Sequence, residues 1–272
     1  MSFHYDLTPL IANEKVSIKW SKSPRKKAIL FVHGYGGNTT GTWTEFDRLL
    51  SDEKKAAGYD LIFYGYDGLR GTIYFLATDL RSFLTGVFGA PADLKTETSR
   101  PPELLAMDTY EEVIVVAHSL GAVISRWALA MAVQLKDSWV GKTSLALFAP
   151  AHNGSRPAAM LRLGSSGMPF LRFFVAGFLH SSPLVDELAE GSSVLQDFRA
   201  AVTSALADPA RDTVIADLVV HANKERVVIN RPFEQDPPPA FPELFRDADH
   251  RSVCKPTRYF PAPLIALRSI LQ

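Results

Sequence analysis

No connecting loop separates two very different patterns in the middle of this chain. EEVIVVAHS, residues 111–119, is a short β-branched apolar run that reads as a buried strand. LGAVISRWALAMAVQL, residues 120–135, reads as a long amphipathic helix. A strand that passes straight into a helix must turn sharply at the junction. Ser119 stands at that apex.

The same alternation recurs along the chain. KKAILFVHG (26–34), YDLIFYGYD (59–67), KTSLALFAP (142–150) and DTVIADLVVHA (212–222) read as further buried strands. TEFDRLLSDEKKAA follows the first of these as a helical pattern, and IYFLATDLRSFLTGVF follows the second. Strands alternating with helices predict an α/β fold: one mostly parallel central sheet with helices on both faces. At 272 residues, the chain fits a single domain spanning 1–272, with an insertion at about 152–210 where the alternation breaks. In such sheets ligands bind beyond the carboxyl ends of the strands. The residues to weigh therefore follow His33, His118, Pro150 and His221.

At the sharp turn, bulky neighbours would clash. Ala117 and Gly121 supply a small residue on each side of Ser119. The form is small-x-Ser-x-Gly, with alanine where the usual G-x-S-x-G has glycine. Such a turn would hold the hydroxyl above the sheet, at the positive end of the following helix. The plain alternative is a serine that merely caps that helix.

A nucleophilic serine also needs donors for the oxygen that turns negative during acyl transfer. The backbone N–H of Leu120 is one candidate. HGYGGN, residues 33–38, supplies the other, with the Tyr35 N–H preferred and Gly34 next. The glycine spacing does not match a nucleotide-binding loop. His33 and His118 read as framework histidines bonded to backbone.

A base must take the serine proton. Of seven histidines, His250 lies in DADHRSVCKP, beyond the last strand and before the helical LIALRSILQ, where the order Ser–acid–His puts it. The acid belongs past the penultimate strand. Glu225 in LVVHANKERVV is the first choice, Asp236 a second, and Asp217 a weaker one because it lies inside the strand pattern. Asp247 and Asp249 are too near His250 in sequence. Glu225 could instead pair on the surface with Lys224 or Arg226.

With these stretches in view, the chain resembles the α/β-hydrolase superfamily. Within it, the likeness is to serine esterases and lipases of the GPI-inositol-deacylase-like and SERAC-like group. AILFVHGYGGNTTGTW, YDLIFYGYD, VIVVAHSLGAVISRWAL, APAHNGS, ANKERVV and DHRSVCKP carry it, over roughly residues 26–256. The resemblance implies a Ser119–Glu225–His250 triad and an oxyanion hole from Tyr35 and Leu120. Two residues depart from the usual pattern: alanine at 117, and glutamate at 225 where aspartate is commoner.

The insertion contains MPFLRFFVAGFL, 168–179, which would place Leu171, Phe174, Val175, Phe178 and Leu179 on one helical face. This is expected to be a cap over the serine that receives an acyl chain; the alternative is a helix that packs on the core. The proline-rich 231–245 would line the site as a stiff loop. The expected activity is hydrolysis of neutral short- to medium-chain esters through an acyl-enzyme. A thioesterase, acyltransferase or amidase with the same triad is the alternative, and a non-catalytic interaction protein is a third reading.

Composition narrows the partners. Zero formal net charge with no basic segment gives no footprint for nucleic acid. The metal-ligand spacings H-x-x-x-H and C-x-x-C are absent, so no metal or other cofactor is expected. The substrate is expected to be a small-molecule ester or lipid. The single cysteine, Cys254, cannot form an intrachain disulfide. No signal-peptide pattern opens the chain, and no apolar run is long enough to span a bilayer. A cytoplasmic location is the expectation, with the oligomeric state open.

Overall fold

The structure, a computed structural model, describes residues 4–11, 14–21, 26–89, 109–160, 182–236 and 243–271. Its strands are β1 (His4–Ile11), β2 (Glu14–Trp20), β3 (Lys27–Val32), β4 (Tyr59–Tyr64), β5 (Glu112–His118), β6 (Thr143–Phe148), β7 (Leu218–Ala222) and β8 (Glu243–Phe245). They form one sheet in the order β1-β2-β4-β3-β5-β6-β7-β8. β1 pairs antiparallel with β2, and β2 antiparallel with β4; every other pairing is parallel.

The parallel centre explains the continuous apolar runs. Successive side chains on a strand point to opposite faces. A strand buried on both faces must therefore be apolar throughout. β4 is buried at every position, and so are β3 and β5 beyond their first residues. The hairpin β1–β2 was not legible as apolar runs. In β2, Val16, Ile18 and Trp20 recur with period two, the weaker signal of an edge region.

The helices are α1 (Phe46–Ser51), α2 (Ile73–Gly89), α3 (Leu120–Leu135), α4 (Pro183–Glu187), α5 (Ser193–Leu206) and α6 (Ala262–Ser269). α2 and α5 flank α3, and α1 contacts α6. α3 differs from its sequence reading. Every residue from Leu120 to Val133 is buried, because the sheet lies under it and a helix lies on each flank. It is a central helix rather than a half-exposed one.

The strand expected over 212–222 starts only at Leu218. Residues 211–213 form a 3-10 turn, and Asp217 turns its carboxylate back to accept the Leu145 N–H at 2.9 Å. Of the stretch 152–210, residues 161–181 lie outside those described, and with them Leu171, Phe174, Val175, Phe178 and Leu179. The C-terminal part of the stretch includes α5, which lays Leu195, Phe198 and Val202 against the body of the fold. Among the described residues, no helix is long and apolar enough to cross a membrane.

Candidate active site

Ser119 joins β5 to α3 with φ 55° and ψ −118°. A non-glycine residue in that region costs on the order of 1–3 kcal/mol, so the surrounding structure must impose it. It does so from both sides. The Ser119 N–H still donates to the Phe148 carbonyl at 3.1 Å, as part of the ladder with β6. Its carbonyl accepts from Ala122 at 3.1 Å and Ala151 at 3.3 Å. Ser119 is the N-cap residue of α3 by position, but its side chain makes no capping bond to the helix.

Two glycines permit this turn. A Cβ on Gly121 would lie 2.3 Å from the His33 carbonyl oxygen and 2.4 Å from that of Val32. Only glycine lets α3 begin this close to the end of β3. A Cβ on Gly34 would lie 2.8 Å from the Ser119 Cβ, so the 33–38 loop runs directly beside the serine. Alanine at 117 is accommodated as a fully buried residue paired with Val32 and Leu147.

The structure brings Ser119, His250 and Glu225 together. The Ser119 hydroxyl and His250 Nε2 are 3.0 Å apart, and His250 Nδ1 lies 2.9 Å from Glu225 Oε2. A carboxylate only accepts, so Nδ1 carries the proton and Nε2 is the free acceptor for the serine O–H. Glu225 Oε1 accepts the Val227 and Val228 N–H groups at 2.7 and 3.1 Å. Burial opposes the charge on Glu225, but the His250 contact and the two amides outweigh it and hold the carboxyl below its ordinary value.

The other acids have other work. Asp236 bonds Arg126 at 2.6 Å, and Asp217 sits at the far end of β7. Asp249 caps the turn after His250, accepting from Arg251 and Ser252. Lys224 lies 3.5 Å from Asp247, so the surface pairing considered for Glu225 goes elsewhere. The Glu225 turn is tied down by Asn223 N–H to the Phe245 carbonyl, Arg156 N–H to the Val227 carbonyl and Ile229 N–H to the Gly154 carbonyl, at 3.0, 2.7 and 2.9 Å.

The backbone N–H groups of Tyr35 and Leu120 make no hydrogen bond among the described residues. The loop carrying Tyr35 is fixed by Gly36 N–H to the Gly68 carbonyl at 3.1 Å and Gly37 N–H to the Gly34 carbonyl at 3.0 Å. Behind it, His33 stacks on Tyr66 at 4.1 Å, and the Tyr66 hydroxyl donates to the His33 carbonyl at 2.6 Å. Burial pushes the His33 imidazole down to about 4, so it stays neutral. His118 donates from Nε2 to the His250 carbonyl at 2.7 Å. Both are backbone-bonded, but the partner of His118 lies far away in the chain.

Sequence reasoning missed one buried cluster. Arg126, in the middle of α3, is fully buried. Its guanidinium bonds Asp236, approaches His152 Nδ1 at 3.3 Å and lies 5.0 Å from the centre of the Phe233 ring. It fastens the segment 231–236 to α3. A lone arginine inside a helical apolar pattern was the available signal. No group of three or more potential metal-ligating side chains occurs among the described residues.

A family model described as the alpha/beta hydrolase family matches residues 29–261. A comparison with curated proteins finds no match. Among solved structures, the chain is similar to lipase BlEst2 of Bacillus licheniformis in mature form, at 17% identity and a TM-score of 0.56, covering 90% of this chain and 95% of that one. It is also similar to a monoacylglycerol lipase of Paleococcus ferrophilus, at 15% identity and a TM-score of 0.54, covering 96% of this chain and 98% of that one. At these identities the likeness is one of fold.

Proposed function

The chain belongs to the α/β-hydrolase family, and from that premise we propose that it is a serine carboxylester hydrolase. Ser119 is the nucleophile, His250 the general base, and Glu225 the acid that orients it. The observation that carries this reading is the unbroken line of hydrogen bonds from Ser119 through His250 to Glu225, ending on a serine held at a positive φ.

His250 Nε2 takes the hydroxyl proton as Ser119 Oγ bonds to the ester carbonyl carbon. Glu225 stabilises the imidazolium that forms. The carbonyl oxygen, now negative, is received by the N–H groups of Tyr35 and Leu120. The imidazolium then gives its proton to the departing alkoxide, leaving an acyl group on Ser119. Water enters, loses a proton to Nε2 and attacks the acyl carbon; the bond to Ser119 Oγ breaks, Nε2 returns the proton to that oxygen, and the acyl group leaves as a carboxylic acid.

The substrate we assign is a neutral short- to medium-chain ester or lipid. Two of the fold neighbours are lipases by name, which agrees with this assignment. On sequence pattern alone, the acyl chain is given to the apolar set Leu171, Phe174, Phe178 and Leu179 in a cap. The subgroup we assign, the GPI-inositol-deacylase-like and SERAC-like hydrolases, is supported by the motif stretches at 28–43, 113–129, 222–228 and 249–256. Hydrolysis of p-nitrophenyl esters from acetate to palmitate tests the reading. Cleavage by the wild type that Ser119→Ala abolishes supports it, and equal activity in both proteins overturns it.

A further inference from the structure

Two backbone-level anchors hold the loop that carries His250. On one side, the Ala248 carbonyl accepts the Lys224 N–H at 3.0 Å, and Lys224 is the residue before Glu225. On the other, the His250 carbonyl accepts the His118 Nε2–H at 2.7 Å, and His118 is the residue before Ser119. Each anchor sits one residue away from the group that the His250 ring must reach. The second closes a small cycle: Ser119 hydroxyl to His250 ring, along the His250 backbone to its carbonyl, then through the His118 ring back to Ser119.

His118 is built for this place. It is the last residue of β5, buried, and paired in register with Phe148. Its ring centre lies 4.8 Å from that of His250. Its Nδ1 side faces the 33–38 loop, where a Cβ on Gly34 would approach it to 3.1 Å. The ring thus lies against the loops bearing Tyr35 and His250, on the residue whose backbone is bonded to Ser119.

Resting on the hydrolase reading above, we propose that His118 is a positioning residue for ester hydrolysis: its Nε2–H to the His250 carbonyl sets the distance between the His250 ring and the Ser119 hydroxyl. A carbonyl accepts only, so Nε2 must carry a proton. Burial first, and the neighbouring His250 second, push its pKa well below the ordinary histidine value. Misplacement by about 1 Å far from the bond being broken can cost about 10²-fold in rate. The bond is thus tied to kcat rather than to substrate affinity.

The test compares His118→Gln with His118→Met. The two side chains have similar length, and only glutamine carries an N–H where the imidazole has one. His118→Met is expected to lower kcat about 10- to 100-fold with KM within about twofold. Fluorophosphonate labelling of Ser119 should slow by a similar factor, and His118→Gln should recover to within about fivefold of the wild type. Equal rates in the Met variant and the wild type, or equal losses in both variants, overturn the inference. Nitrogen-15 spectra of the wild-type imidazoles keep it testable if the Met variant does not fold: they should show His118 protonated at Nε2 at neutral pH, and protonation at Nδ1 instead contradicts it. Wild-type ester cleavage that depends on Ser119, with no effect of His118→Met, defeats this inference alone. A wild type that neither cleaves esters nor labels at Ser119 defeats the hydrolase reading and takes the inference with it.

Discussion

The Ser119 hydroxyl stands 3.0 Å from His250 Nε2 across 131 residues of chain. Neither residue reaches the other by local geometry. Ser119 is held by the end of β5 and the start of α3, and His250 by a loop beyond β8 that hangs on the Lys224 and His118 contacts. The proposed chemistry therefore depends on how two distant turns are fixed relative to one sheet.

Sequence order makes Glu225 the first candidate for the acid and Asp236 the second, and their substitution separates them. Glu225→Gln should lower kcat by about 10³–10⁴-fold with little change in stability, because a glutamine favours the wrong imidazole tautomer. Asp236→Ala should do the reverse. It leaves Arg126 as a buried charge without its carboxylate, at a cost of about 3–5 kcal/mol. Esterase kinetics and urea titrations on both variants check the pair.

Gly121→Ala should run against helix propensity. Alanine within a helix normally gains about 1 kcal/mol over glycine. Here the new Cβ meets two backbone oxygens that cannot rotate away. A loss of about 1–3 kcal/mol or more is expected, with activity falling alongside as Ser119 is displaced. Thermal melting decides it; a raised Tm contradicts the close approach.

Stability should fall as the solution is acidified from neutrality. Folded His33 is neutral down to about 4 because it is buried. An imidazole in the unfolded chain titrates near ~6.5. Between those values the unfolded chain binds a proton that the folded one lacks, so stability decreases with falling pH through this window and is flat above it. One such residue is worth on the order of 3 kcal/mol by pH 4, and burial drives His118 and His152 in the same direction. Glu225, held low when folded, adds a loss at still lower pH as its carboxylate takes a proton. Urea unfolding at pH 7, 5.5 and 4.5 should show the decline; a pH-independent stability contradicts it.

The fold was legible wherever burial on both faces made a strand apolar throughout. β3, β4, β5 and β6 fall within the runs read from sequence, and α2 and α3 coincide closely with theirs. β1 and β2 escaped because their signal is alternation in a polar context, and the start of β7 was misjudged because Asp217 turns back onto β6. At the site, the strand-end rule led to Ser119, Tyr35, Leu120 and Glu225, and the chain order Ser–acid–His led to His250; the short β8 before it carries no apolar run to read. The links that depend on folding could not be read: His118 to the His250 carbonyl spans 132 residues and Arg126 to Asp236 spans 110. No periodicity encodes a contact between two loops.

The proposed reaction turns on Ser119 as an activated nucleophile. The most direct measurement is peptide mapping by mass spectrometry after treatment with a fluorophosphonate, with His250→Ala beside the wild type. A single adduct on Ser119 that forms with the wild type and slows by orders of magnitude in the variant is the predicted result. An unlabelled Ser119, or labelling that proceeds equally without the imidazole, would contradict it.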